Sequence, residues 1–203
     1  MSNTNVENPR QDIEKVIAAG DLSKLLRITG MLHGHFCPFS AIGVKAAVRA
    51  ARELGVRSTG MEEVLAIVET RNCSSDGVQF VTGCSFGNNA LIYRDCGKIA
   101  FTLARRSGDA VRISVRGERV IEERSPDARQ LFERVVVERS GTDADRERLS
   151  QLWKEPSFRI LDLPDEEVSD IKRVTIEIPA YARFLEVLSV PCAAKMLWSH
   201  KLV

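Results

Sequence analysis

Histidine is scarce in this chain: there are three in 203 residues, and two of them fall within the five-residue stretch HGHFC. Other scarcities bound what the chain is. No C-x-x-C pair occurs, which argues against a dithiol oxidoreductase, and H-E-x-x-H and G-x-G-x-x-G are absent as well. No apolar run approaches the roughly 20 residues of a membrane-spanning helix. The opening segment MSNTNVENPRQDIEK is polar and has no signal-peptide core. The expected compartment is the cytoplasm, with no membrane partner. An excess of one charge is also missing, since 29 Lys and Arg face 28 Asp and Glu. No nucleic-acid partner is therefore expected. The charge-dense stretch over residues 105–148 alternates in sign, as a solvated, ion-paired surface does.

The five cysteines, Cys37, Cys73, Cys84, Cys96 and Cys192, are odd in number and irregular in spacing. That is no disulfide framework, and in a cytosolic protein it turns attention to metal-binding or reactive thiols. With 44% hydrophobic and 28% charged residues, the composition is that of an ordinary globular protein. One core domain is expected over residues 1–179, with a C-terminal extension over residues 180–203.

Helical periodicity comes first. RQDIEKVIAAG stops at Gly20; DLSKLLRITG restarts behind a capping Asp21 and stops at Gly30. AIGVKAAVRAAREL runs from a Ser40 cap into Gly55, and its small residues suit close packing. The period then changes. EVLAIVET reads as a buried strand, and ALIYRD, KIAFTLARR and AVRISVR as three more. Cys96-Gly97 between the first two of these predicts a tight hairpin turn. A short helix is expected over residues 76–82. Ser125-Pro126 opens another helix, Thr142 and Asp145 form a capping box for one ending near Trp153, and RVTIEIP is a last strand. The pattern is α+β, with helices packed on one sheet of about five strands.

In HGHFCP, His33, His35 and Cys37 alternate at a spacing of two. Fully extended, neighbours on that face stand roughly 6–7 Å apart, too far to close on one ion with bonds of about 2.0–2.3 Å. A turn is required, and Gly34 permits one. Pro38 holds Cys37 just ahead of a helix N-terminus, where the dipole favours the thiolate that metal binding and nucleophilic chemistry both need. The same pattern also reads as a polar turn beside a small buried cysteine. Cys73 follows the end of a buried strand and precedes a short helix, a position that commonly lines sites. Asp76 reads as a helix-start carboxylate or as an outer partner of a ligand. Cys84, bracketed by Gly83 and Gly87, is a site wall, a sulfur ligand or simply packed. Lys98 presents its charge to an anionic substrate or stands exposed on a hairpin.

Together HGHFCPFSAIGVKAA, AIVETRNCSSDGVQFVTGCSFGNNALIYRDCGK and AVRISVR resemble the formylmethanofuran dehydrogenase E-subunit family over about residues 31–116. That family's pattern is approximately H-G-H-x-C-P-G, then C-x-x-D-A-x-Q, then T-G-C-T-x-G-x-G-N-L, with a D-Y-G-K turn. The resemblance implies a thioredoxin-like α+β core in a cytoplasmic protein of anaerobic metabolism. It also implies a homodimer and an association with a molybdenum or tungsten oxidoreductase of one-carbon units. It maps the motif positions onto His33, His35 and Cys37, onto Cys73, Asp76 and Gln79, onto Gly83, Cys84 and Gly87, and onto Lys98. Phe39, Asn88, Asn89 and Cys96 depart from the pattern. Many members carry a C-terminal zinc finger; here Cys192 and His200 alone cannot make a closed four-ligand site.

The expected function is metal binding, with zinc ahead of iron or nickel, through His33, His35, Cys37 and Cys73. Asp76, Cys84 and Lys98 are the expected second-shell or pocket residues. The rivals are a metal-free enzyme, with Cys37 as nucleophile and His35 or His33 as base, and a non-catalytic interaction subunit.

Overall fold

The computed structural model describes residues 8–116 and 128–180. Three helices come first: α1 (Gln11–Ala19), α2 (Leu22–His33) and α3 (Pro38–Leu54). Gly20 and Gly55 close α1 and α3 in the left-handed conformation, and the Asp21 side chain caps α2. The chain continues as β1 (Val64–Val68), α4 (Ser74–Thr82), β2 (Leu91–Tyr93), β3 (Ala100–Arg105) and β4 (Asp109–Val115). After residues 117–127 come α5 (Arg129–Phe132), which runs into a π-helical turn over Glu133–Val137, then α6 (Asp143–Leu161), α7 (Asp165–Val168) and β5 (Ser169–Thr175).

The five strands form one mixed sheet in the order β2-β1-β3-β4-β5, so the protein is α+β. Strands β1 and β2 are parallel and are joined through α4; every other pairing is antiparallel. In the first four strands only β3 runs against the rest, the order of a thioredoxin-like core. The register aligns Ile171, Ile113, Phe101, Val68 and Tyr93 in one row across the sheet. These side chains pack with Val44, Ala47, Val78 and Val81 of α3 and α4 in the main core.

Several sequence expectations change. Cys96-Gly97 is not a hairpin turn, because β2 pairs with β1 and not with β3. The segment instead crosses the end of β1: Arg94 N donates to Val68 O (3.0 Å) and Cys96 N to Glu69 O (2.9 Å). The true hairpin joins β3 to β4. Helix α2 does not stop at Gly30 but runs one turn further, because the missing Cβ at Gly30 makes room for the Phe36 ring. Cys37, not Ser40, is the N-cap of α3; Ser40 lies inside it, its hydroxyl donating to Cys37 O (2.8 Å).

Helix α6 opens with the expected capping box of Thr142 and Asp145 but passes Trp153 and contains Pro156. Proline removes one backbone donor. The helix nonetheless continues because Ser157, Ile160 and Leu161 bury its far end, and the Ser157 hydroxyl donates to Trp153 O (2.6 Å). The expected helix start at Ser125-Pro126 and the extension from residue 181 lie outside the described residues.

Candidate metal centre

The end of α2, the turn after it, and the first turn of α4 converge beneath α6. Gly34 closes α2 with φ +87°, its amide bonded to Gly30 O (2.8 Å). Any side chain is strained in that conformation, so the turn that HGH requires depends on this glycine. Phe36 faces away from the site, edge-on to Phe158 at 5.1 Å between ring centroids. His35 and Cys37 are thereby turned toward His33, and the ligand atoms of these three residues lie within 4.8 Å of one another. Ligands of a tetrahedral ion stand roughly 3.5 Å apart, a spacing that small side-chain rotations reach.

Cys73 adjoins this group from α4, outside the mutual 4.8 Å set but in contact with Cys37 and His33. Cys37 and Cys73 are the N-cap residues of α3 and α4, and those two helices meet glycine to glycine. A Cβ at Gly43 would stand 2.8 Å from the Ser74 carbonyl carbon, and one at Gly77 would stand 2.6 Å from the carbonyl carbon of Gly43. Neither contact leaves space for a side chain. Only bare backbone lets α4 press close enough to bring Cys73 to Cys37.

Hydrogen bonds orient the imidazole. The Asp76 carboxylate lies 2.7 Å from His33 Nδ1, and Gln79 Nε2 donates to the other Asp76 oxygen (3.2 Å). Asp76, within the first turn of α4, thus holds the His33 ring in place. With Nδ1 engaged, His33 Nε2 is turned inward; it is buried and has no hydrogen-bond partner among the described residues. Its neighbour there is the Cys73 sulfur, the contact through which the two groups shift each other.

The shifts favour the ligand form at Cys73 and His35, whereas Cys37 and His33 hold protons that a bound cation would displace. The Cys37 thiol donating to Cys73 holds the Cys73 thiol well below its ordinary range, overcoming burial, with His33 adding to the effect. Cys37 is pushed far up by that same bond to Cys73 and by burial. Contact with the Cys73 sulfur raises His33 to about 9 against burial, with Asp76 contributing next. His35 moves down, through burial first and then the neighbouring His33 charge. The Trp153 ring roofs the site, stacked on His35 at 5.9 Å and 15°. Phe39, where the family pattern has glycine, packs into the same apolar cluster as Cys37 and Trp153.

Two expected pocket residues are elsewhere. Cys84 is buried in the main core, its sulfur facing Val64 O (3.7 Å) at the start of β1, whereas Cys73 follows the end of that strand. Lys98 is exposed in the crossover loop and does not line the cavity beside the site. In the glycine-bracketed loop, Asn88 Oδ1 takes the amides of Ser85 (2.8 Å) and Ala90 (3.2 Å). The same loop, residues 83–87, spells G-x-S-x-G. It lies between a helix and a strand, the reverse of the strand-to-helix turn that exposes a nucleophilic serine. Trp153 and the Gly43–Gly77 contact were not foreseen; rarity of tryptophan and the small-residue stripe of α3 were the available signals. Cys192 and His200 lie outside the described residues.

The family model described as FmdE, molybdenum formylmethanofuran dehydrogenase operon, matches residues 32–170 and so takes in the turn, both cysteine caps and α6. The chain belongs to the FmdE family. A relative described as a probable S-adenosyl-L-methionine-binding protein, from Archaeoglobus fulgidus, is 46% identical over 151 residues. That match covers 72% of this chain but 41% of the relative, so this FmdE chain spans less than half of that protein's length. The crystal structure of a tungsten formylmethanofuran dehydrogenase FmdE-like protein from Syntrophus aciditrophicus is similar at 22% identity and a TM-score of 0.49. It covers 77% of this chain and 73% of that one. Among the described residues, no helix is long and apolar enough to cross a membrane.

Proposed function

We propose that this FmdE-family chain binds one divalent transition ion through His33, His35, Cys37 and Cys73. Two imidazoles and two thiolates are a donor set for zinc first, with iron and nickel next. The observation that carries the reading is His33 Nε2, buried, turned toward Cys73 and without a hydrogen-bond partner among the described residues, while Asp76 holds the opposite nitrogen. Carboxylate–histidine pairs of this kind fix ligand orientation in metal sites. When bound, the ion would supply Lewis acidity at any position the protein leaves open. The protein's own residues orient the imidazoles and, through Trp153, cover one side of the site. The family description supports association with a molybdenum formylmethanofuran dehydrogenase. We further read the protein as a cytoplasmic homodimer of anaerobic metabolism.

Metal content tests this reading. Untagged protein purified without oxygen is expected to hold close to one ion per chain by mass spectrometry, and folded Cys37→Ser none. Unchanged metal in the variant would overturn the ligand set. The depressed Cys73 thiol favours one second reading, a metal-free thiol chemistry. Its nucleophile would be Cys73, since Cys37 is fully buried and its thiol is shifted upward.

A further inference from the structure

A cavity of about 360 Å³ opens beside the metal centre, beyond the carboxyl ends of β1 and β2. Where parallel strands are joined through a helix, ligands lodge at those strand ends. The space equals roughly twelve waters at about 30 Å³ each, enough for a small organic molecule. One wall is apolar: Val68 and Leu91 from the strands, with the rings of Phe86 and Tyr93. Phe86 is 67% exposed. It is held there by a loop that Asn88 fixes at both ends, taking the Ser85 and Ala90 amides and donating to Gly83 O (2.7 Å). A braced loop that holds an aromatic ring over an opening offers that ring to a ligand.

The facing wall supplies donors. The Arg71 guanidinium lies over the Tyr93 ring, 5.4 Å from its centroid. Asn72 uses its side-chain oxygen to accept from the Ser74 amide (3.0 Å) and hydroxyl, and its Nδ2 has no partner among the described residues. Of the other charged groups in the lining, Asp76 and His33 pair with each other. Asp95 touches the Tyr93 hydroxyl from outside the lining. Arg71 is the lining cation outside the His33–Asp76 pair; Asp95 feels its charge from outside the lining, and Cys73 lies within the lining.

We propose that this cavity binds a small organic carboxylate, its head group on Arg71 and Asn72 and its apolar body between Phe86 and Tyr93. The inference rests on the proposed metal centre for any step after binding, because His33 and Cys73 line the cavity as well.

The test is a saturation-transfer NMR titration of the full metal-loaded chain with 3-phenylpropanoate and with its neutral amide, metal content being measured on every sample. The carboxylate is expected to bind at least tenfold more tightly than the amide. Arg71→Gln is expected to remove that preference at unchanged metal content, and Phe86→Ala to weaken both probes alike. Equal binding of the two probes by the parent overturns the proposal. So does a preference that survives Arg71→Gln, or one that removal of the metal alone abolishes, since the carboxylate would then sit on the ion. Carboxylate-selective binding by a parent that holds no metal sustains the cavity and overturns the metal centre; full metal with no binding does the reverse.

Discussion

Replacing Gly43 with alanine tests whether the contact of α3 with α4 builds the site. The new methyl carbon would overlap the Ser74 carbonyl oxygen and stand 2.8 Å from the Ser74 carbonyl carbon and Cα, where ordinary contact begins at 3.4 Å. Helix α4 must retreat by about an ångström, and its N-cap and first turn carry Cys73 and Asp76. Overpacking of this size costs about 1–3 kcal/mol, partly offset by up to about 1 kcal/mol of improved helix propensity. The net loss, up to about 3 kcal/mol, corresponds to a fall in Tm of up to about 12 °C for a chain of this size. Sites tolerate displacements of only about half an ångström, so zinc affinity, read by competition with a chromophoric chelator, is expected to fall at least tenfold. Ala46→Gly provides the control. It lies on the same helix within the main core and is expected to cost about 1 kcal/mol of stability, while leaving affinity unchanged. Full affinity in Gly43→Ala, or equal losses in both variants, would refute the reasoning.

Asp76→Asn removes the anion from His33 Nδ1 and is expected to weaken metal binding by roughly 10–100-fold; a loss below threefold would mean that Asp76 does not orient the ligand. In the metal-free Cys96→Ser protein, iodoacetamide is expected to label Cys73 and not Cys37, as mapped by mass spectrometry. Because the Cys73 thiol is shifted downward, its thiolate is already formed below neutrality. Its alkylation rate should stay level from pH 8 to pH 7 and fall only in acid, whereas an unshifted thiol slows about tenfold over that unit. Labelling of Cys37, or a rate still climbing above pH 7, would contradict this order of the two thiols. Trp153→Ala removes a buried ring that roofs His35 and packs with Phe132, and is expected to lower stability by about 3–5 kcal/mol in denaturant unfolding. A change under 1 kcal/mol would show that α6 is not part of the core around the site.

The local pieces of this protein were legible from residue order. Gly20 and Gly55 end helices because each is left-handed there, and the Thr142–Asp145 capping box closes on itself within four residues. The strands β1, β3 and β4 follow from apolar, β-branched runs, and the metal candidates of the HGHFC turn follow from donor type and spacing. Signals of this kind act over a few residues, and the sequence contains all of what they need. Where α2 ends was misread because Gly30 is a packing glycine and not a stop, and a glycine's identity does not say which.

The sequence by itself determined the α+β character, the turn at Gly34 and the donors it carries. Only the tertiary structure decided how they assemble. The choice of β1 over β3 as the partner of β2 is a pairing across 25 residues, made by the α4 crossover, and a two-residue turn signal cannot encode it. Cys73 meets Cys37 because two glycines 34 positions apart remove the side chains that would hold their helices apart. Cys84 carries the same thiol as Cys73 but was carried to the other end of β1. Donor identity is a property of single residues, whereas convergence on one ion is set by long-range packing, and packing is decided by shape in three dimensions.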